Sequence, residues 1–565
     1  MRPRHVLLAT LALVAPAAGA GAAAPLEVFR PHTTPDWHND WFSVDLALGD
    51  DRLVVGSDQG SSSWPGMVHV FRREGDSWQF EEAISHLSTG DGGLFWANRS
   101  FGYDVALGED GHTLFVGAPG NAGSEHGAVF VYEYEEDSGW SEAAQLLAPD
   151  GRSLDWFGGT VEVSGGTLAV AAYRTDAPAF DSGSIYLFER QGDAWLQVQK
   201  LGLPDPAEHD LLGNIMAIEG DLLVASTVTR DVGNFVNQGM VHTFGRDPAS
   251  GSWRYVGPLT ADDGSPNDYF GSALALSGDR LAVGAYGRGT PTAEGIAHDQ
   301  GAVYLYERDP ESSSGWRLLQ RIKGDDGAAG DWFGRSVDFD GELLMVGAPR
   351  KKNGEGVESG AAYAFLRNGG GIADNWRQVQ RFDREGTKAA PWFGDDVVIS
   401  PTAVFVGARR DHEVSFDQGS VSRFARDFDL TVPARDYDEW RHLHFAGGEL
   451  LDGALRDLRW GDGADPDGDG LPNAGEYFGG TDPLVADPPT ALPAIEFTGT
   501  GLSWSLAADP AAQAVAHLRS GDTLRGWRPR EETVIDSAGG RQTLTLPDFR
   551  QSGPRQFFRL VYELP

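Results

Sequence analysis

One motif recurs seven times between Phe42 and Gly407, and the spacing of its copies limits the folds open to this chain more than any other feature. Its clearest copy is residues 331–349, D-W-F-G-R-S-V-D-F-D-G-E-L-L-M-V-G-A-P. Two apolar arms flank Asp340-Gly341, a pair suited to the positive backbone angles of a two-residue hairpin turn. The same landmarks pair at Phe42 with Gly56, Phe101 with Gly117, Phe157 with Ala171, Leu212 with Ala225, Phe270 with Gly284, Phe333 with Gly347, and Phe393 with Gly407. By subtraction, successive first landmarks lie 59, 56, 55, 58, 63 and 60 residues apart, and each second landmark follows its first by 13 to 16. So long and regular a period means repeat architecture. Each copy continues through a loop to a strand opened by Gly, as in G-A-V-Y-L-Y over 301–306, then to a Trp such as Trp316 and a further apolar run. Four strands per repeat and seven repeats predict an all-β fold, a seven-bladed β-propeller whose radial packing leaves only short edges.

The two ends of the repeat array complement each other. Residues 26–30, L-E-V-F-R, align with the fourth strand of other blades, whereas the seventh repeat stops after its third strand at residues 419–424. The spare N-terminal strand is therefore expected to complete the last blade and remove an open sheet edge.

These residues resemble the FG-GAP repeats of the integrin α-subunit head and of many secreted bacterial proteins, over about residues 26–426. A single F-G or G-A-P carries no information; seven in register do. The resemblance implies a propeller that engages an extracellular ligand. Integrin-type blades often place a D-x-D-x-D-G calcium loop between their first two strands. This chain has tight turns there, such as Gly165-Gly166 and Gly220-Asp221, so the resemblance does not extend to calcium in the blades.

Outside the repeats the sequence divides into three further parts. Residues 1–24 carry Arg2 and Arg4, an apolar run from Val6 to Val14 and then small residues, and read as a secretory signal peptide. The propeller is expected over 25–428, a linker over 429–489 and a small C-terminal β domain over 490–565. In the linker, residues 435–445 have Tyr437, Trp440, His444 and Phe445 near helical spacing, which predicts a short amphipathic helix. His442 and His444 would diverge on it, so no metal site is expected there. The strongest chemical signal follows, D-P-D-G-D-G-L-P-N-A-G-E over 465–476. Asp465, Asp467, Asp469, Leu471, Asn473 and Glu476 stand at positions 1, 3, 5, 7, 9 and 12, with Gly470 at 6, the ligand order of an EF-hand calcium loop. A hard cation wants six to eight oxygens, which short carboxylates, one backbone carbonyl and a bidentate Glu supply in this order. The loop resembles the calcium loops of EF-hands and, with Pro466, Pro472 and the following G-G-T-D-P, more closely those of thrombospondin type 3 repeats. Alternating runs at 495–497, 502–506, 515–518, 543–546 and 557–562 predict a small β-sandwich.

Net charge and missing motifs narrow the functional classes. A formal charge of -38 opposes nucleic acid and anionic membranes as partners. No transmembrane segment is expected, and the chain is expected to be a monomer. The absence of Cys leaves packing alone to hold the fold. There is no G-x-S-x-G elbow, no H-E-x-x-H helix and no Cys nucleophile, so the chain reads as a binding protein and not an enzyme. A propeller-based hydrolase or lyase stays open as the lesser alternative. In an antiparallel meander the loops after the second strand share a face with the loops between blades. The first set, at 57–65, 119–126, 173–182, 226–238, 286–300, 349–359 and 409–418, is long, and the opposite face has mostly tight turns. Binding residues usually sit on such loops. Trp64, Phe180, Phe235 and Tyr286 are the candidate contacts for a protein or glycan ligand, or else they fill gaps between blades. Glu125, Asp181, Asn237, Asp299, Glu358 and Asp417 each stand two places before a strand-opening Gly and are expected to tie down the turn.

Overall fold

The computed structural model describes residues 25–31, 42–57, 66–86, 100–120, 126–192, 194–292, 295–367, 376–384, 392–411 and 419–426, together with a set of strands after residue 493. Seven four-stranded antiparallel sheets make up the repeat region, and no helix occurs among the described residues. Six blades are consecutive meanders spanning residues 42–84, 105–146, 157–201, 216–259, 273–322 and 336–383. Blade five departs from the sequence reading in one detail: its long loop holds a small hairpin, Thr290–Thr292 against Gly295–Ala297.

Blade seven is completed from the other end of the chain. Phe393–Ile399, Ala403–Ala408 and Ser420–Ala425 are joined by Glu27–Phe29, with Glu27 opposite Arg423, Val28 opposite Ser422 and Phe29 opposite Val421. Glu27 reinforces this closure from two sides. It accepts from Arg423 Nη1 at 2.8 Å within the seventh blade and from the Trp78 backbone N–H at 3.2 Å in the first.

The core is a ring of layers between blades. Every second strand is bounded by partners in its own sheet and by a blade on each side, so its side chains are buried on both faces, as in Thr113–Ala118 and Leu343–Ala348. The Phe or Leu that opens each repeat is buried, and so are Trp78, Trp140, Trp195, Trp253 and Trp316 of the outer strands. These indoles reach the preceding blade: Trp195 meets Phe115 edge-on at 4.9 Å, and Trp316 Nε1 donates to Thr243 Oγ1 at 2.9 Å.

Neighbouring blades also meet backbone to backbone. The Gly that opens a third strand bridges, in parallel, to the motif Phe of the next blade: Gly127 to Phe157, Gly301 to Phe333, Gly360 to Phe393, and Gly419 round to Phe42. A Cβ on Gly301 would lie 2.0 Å from the Phe333 carbonyl oxygen, and its φ of +90° is itself costly for other residues. The Gly of the second strand approaches from the other side, so that a Cβ on Gly284 would come within 2.1 Å of the Gly334 oxygen. The F-G dipeptide of each blade is thus clasped by two strands of the blade before it.

After residue 493 a second unit contains two sheets. One has the order Ala494–Thr498, Gly501–Ala507, Arg541–Leu546, Val534–Asp536, and the other Arg528–Pro529, Val515–Gly521, Phe557–Glu563. All five alternating runs read from the sequence lie in these strands. The expected signal peptide, the expected linker helix and the 465–476 loop lie outside the described residues.

Two stability measurements test this architecture. Gly301→Ala should cost about 3 kcal/mol or more in denaturant unfolding, since it combines backbone strain with a buried clash. Gly165→Ala, in a turn at φ +55° with nothing within 4 Å, should cost only about 1 kcal/mol. Equal losses would remove the inter-blade clasp as a determinant. A chain beginning at Asp40 should melt below one beginning at Pro25, because it lacks the closing strand; equal melting temperatures would contradict the closure.

Candidate ligand-binding face

The long loops are held in place from below by repeated ion pairs. The Asp two residues before the motif Phe, in D-W-F-G, D-L-L-G and D-Y-F-G, is buried in blades three to six as Asp155, Asp210, Asp268 and Asp331. Each accepts a backbone N–H three residues earlier, at 2.6 to 2.7 Å, which closes the loop between blades. In three of these blades a cation from the loop after the second strand completes the tie: Arg230 to Asp210 at 2.5 Å, Arg288 to Asp268 at 2.9 Å and Lys351 to Asp331 at 2.8 Å. A second layer lies beside it. Asp150, Asp263 and Asp326 of the inter-blade turns accept from the hydroxyls of Tyr186, Tyr304 and Tyr363 at 2.8 to 2.9 Å and pair with Lys200, Arg321 and Arg381. The acidic residues of these inter-blade turns are thus tied into the frame of the loops.

The residues two places before the strand Gly act through their backbone. Asp181, Asn237 and Asp299 adopt φ between +50° and +55°, and their carbonyls accept the N–H of Leu211, Tyr269 and Trp332 in the next blade at 3.1 to 3.2 Å. Asn and Asp tolerate that conformation better than most residues. Glu358 instead pairs with Arg350 at 2.9 Å; Glu125 and Asp417 lie outside the described residues.

On this frame sits a row of aromatics that the sequence reading passed over. The residue just before the motif Phe has positive φ in five blades, at Trp156, Leu211, Tyr269, Trp332 and Trp392. Bulky residues rarely adopt that conformation, and here it turns large side chains toward the loop face. Tyr269 stacks on Tyr286 at 5.1 Å, Tyr286 meets Trp332 at 5.2 Å, and Trp332 meets Trp392 at 6.3 Å, so the row crosses blades five to seven. Arg350 and Arg410 lie over Trp332 and Trp392 at 4.6 and 4.1 Å.

Tyr286 is half-buried within this row. Phe180 and Phe235 are 55% and 43% exposed. Trp64 lies outside the described residues. Among the described residues, the exposed large hydrophobics in connections between strands are Leu147, Leu154, Phe180, Phe235 and Val236, and all five are on this face; Leu26, also exposed, precedes the closing strand.

A second feature lies on the propeller axis. The inner strands enclose a cavity of about 680 Å³ whose wall includes Asp45, Asp104, Glu162, Asp338, Asp395 and Asp396. Several of these carboxyls tie one blade to the next by accepting inner-strand N–H groups that have no sheet partner on the axial side. Asp45 accepts from Val105 at 2.7 Å, Asp104 from Val161 at 3.4 Å and Asp338 from Ile399 at 2.6 Å. Burial pushes Asp45 and Asp338 up to about 6, and burial followed by the charges of Asp45 and Asp338 pushes Glu162 up to about 8. Asp104 and Asp396 are raised for the same first reason. After burial, the charge of neighbouring Asp45 raises Asp104 further. The signal was present in the sequence, as F-x-x-D at Phe42, Phe101 and Phe393 and as an acid five places after Phe157 and Phe333.

Comparison with known proteins agrees with this geometry. The FG-GAP repeat family model matches residues 140–188, 253–306 and 316–365, segments of blades that each run across an inter-blade clasp. The chain is an integrin-α-like FG-GAP repeat propeller. No curated protein matches it. The crystal structure of Saccharomyces cerevisiae Sqt1 is similar at 12% identity, over 72% of this chain and 99% of that one, with a TM-score of 0.37, a level that carries no inference here. The FG-GAP propeller is a ligand-binding or adhesion-type fold.

The axial carboxyls give this FG-GAP propeller a defined pH response. A carboxyl whose folded pKa is raised contributes stability that is complete below its unfolded pKa and is lost as pH rises through the folded value. For Glu162 that window runs from the ordinary Glu range to about 8. Glu162→Gln should therefore raise the melting temperature at pH 8 by roughly 1–3 °C and change it little at pH 4.5. An equal effect at both values would contradict the buried, proton-holding state.

Proposed function

We propose that this chain is a secreted or cell-surface binding protein that holds an extracellular protein or glycan on the long-loop face of its propeller. The observation that carries the reading is that, among the described residues, the exposed large hydrophobics of the connecting loops lie on that face, where the loop of Phe235 is anchored by the buried Arg230–Asp210 pair. Fixed loops lose little conformational entropy on binding, so apolar contact made there converts into affinity. The reading also includes a calcium ion held by Asp465, Asp467, Asp469, Asn473 and Glu476 with the Leu471 carbonyl, on the strength of ligand order alone, and no catalytic role. A signal peptide at residues 1–24 supports export. The row Tyr269, Tyr286, Trp332 and Trp392 favours a glycan as the second form of this reading, because sugar faces stack on aromatic rings.

Screening the full chain against glycans and matrix proteins, with and without calcium, supplies a ligand for the decisive comparison. Phe180→Ser with Phe235→Ser should weaken that ligand by about tenfold or more while shifting stability by less than about 0.5 kcal/mol, as exposed sites do. Changes to the turns at Gly220-Asp221 and Gly278-Asp279 on the other face should leave affinity unchanged. Loss of binding with the turn variants alone would place the site on the wrong face. Calorimetric titration of the full chain should show one calcium per chain, lost in Asp467→Ala; equal heats in the two proteins would remove the calcium assignment.

A further inference from the structure

The axial cavity contains carboxyl groups that the fold does not use. Asp45, Asp104 and Asp338 cap inner-strand N–H groups, but the Glu162 carboxyl accepts no hydrogen bond from the described residues. Asp395 is the more telling case. Its side chain is only 4% exposed, one oxygen is held by Arg409 at 2.9 Å, and the other, Oδ1, has no partner. Asp396 beside it likewise leaves Oδ2 unpartnered while Oδ1 accepts its neighbour's N–H at 2.8 Å. Buried polar atoms without partners are costly, and a native site that keeps them usually has something to give them. Arg335 and Arg409 are the cations on this wall, against seven carboxyls, so the cavity has a large acidic excess.

The carboxyls are spread over blades one, two, three, six and seven and do not converge. Among the described residues no three His, Asp or Glu side chains come together as a metal ion would require. A bare ion could therefore satisfy only a fraction of them. A flexible chain with ammonium groups at intervals can donate to carboxylates around the wall, and its methylene segments suit the apolar residues, such as Leu107 and Ile218, that also line it.

We propose that the axial cavity of the propeller is a binding site for a linear oligoamine, with Glu162, Asp338, Asp395 and Asp396 as its carboxylate partners. The site is separate from the loop face, so its success or failure leaves that reading untouched. Because a bound ammonium favours the ionised carboxylate, uptake and proton release go together.

The test is calorimetric titration of the full chain with spermidine at pH 8, with calcium present and at about 150 mM salt, where scattered surface charges are largely screened. One saturable equivalent is expected, with affinity reduced about tenfold in Glu162→Gln/Asp338→Asn, a loss of about 1.4 kcal/mol. The single variant Glu162→Gln should show a smaller loss in the same direction. Glu136→Gln/Asp137→Asn, on an exposed turn, should bind as the parent does. The amide variants keep side-chain volume, and matching circular dichroism confirms their fold. No saturable heat, unchanged affinity in the axial variants, equal losses in the exposed-turn variant, or a site filled by magnesium and indifferent to spermidine would each overturn the proposal.

Discussion

The close approach of backbone to backbone between successive blades is the contact on which the rest of this propeller depends. The motif Phe-Gly of one blade lies between two strands of the preceding blade, at distances that leave no room for a Cβ on Gly301 or Gly284. That contact holds each blade against the next round a ring of seven. It also brings Phe333 and its equivalents into the buried layers between sheets, where they meet side chains such as Tyr363 at 5.4 Å. Where the ring closes, Ser43 stands in place of the Gly at φ +71° and donates no bulk beyond a hydroxyl, whose oxygen accepts the Ala408 N–H at 3.1 Å. The seam is thus made by a variation on the same contact and by the strand Glu27–Phe29.

Much of this fold was legible in the sequence because each repeat writes the same local instructions. Phe-Gly, the turn pair, the buried second strand and the strand-opening Gly recur within a few residues of fixed spacing, and the incomplete seventh repeat points to its own missing strand. The candidate face was legible at the level of loops, since strand direction alone sorts long connections from tight ones. Its aromatic row was not. Trp332 and Tyr269 look like ordinary partners of the adjacent Phe until the positive φ at each shows that they turn away from it. The axial carboxyls were hidden for another reason. Asp45 and Asp338 alternate with apolar neighbours as on any strand with one wet side, and nothing local says that seven such strands share one axis.

Charge is distributed unevenly between these features. On the loop face nearly every buried carboxylate has a cation or a backbone donor: Asp268 has Arg288 and the Ser265 N–H, and Asp331 has Lys351 and the Ala328 N–H. That pairing serves rigidity, and it leaves the exposed apolar and aromatic side chains as what a partner would meet. Along the axis the balance reverses, and Glu162 keeps its proton into the neutral range because burial makes ionisation costly. One surface is built to be static and sticky; the interior of the ring is built around ionisable groups.

The account of function turns on which face of the ring meets a partner, and hydrogen–deuterium exchange on the full chain, with and without a ligand selected by screening, measures this directly. Protection confined to residues 173–182, 203–211 and 226–238, with the turns at 164–166, 219–221 and 277–280 unchanged, is the predicted result. Protection of those turns with the long loops unaffected would contradict it.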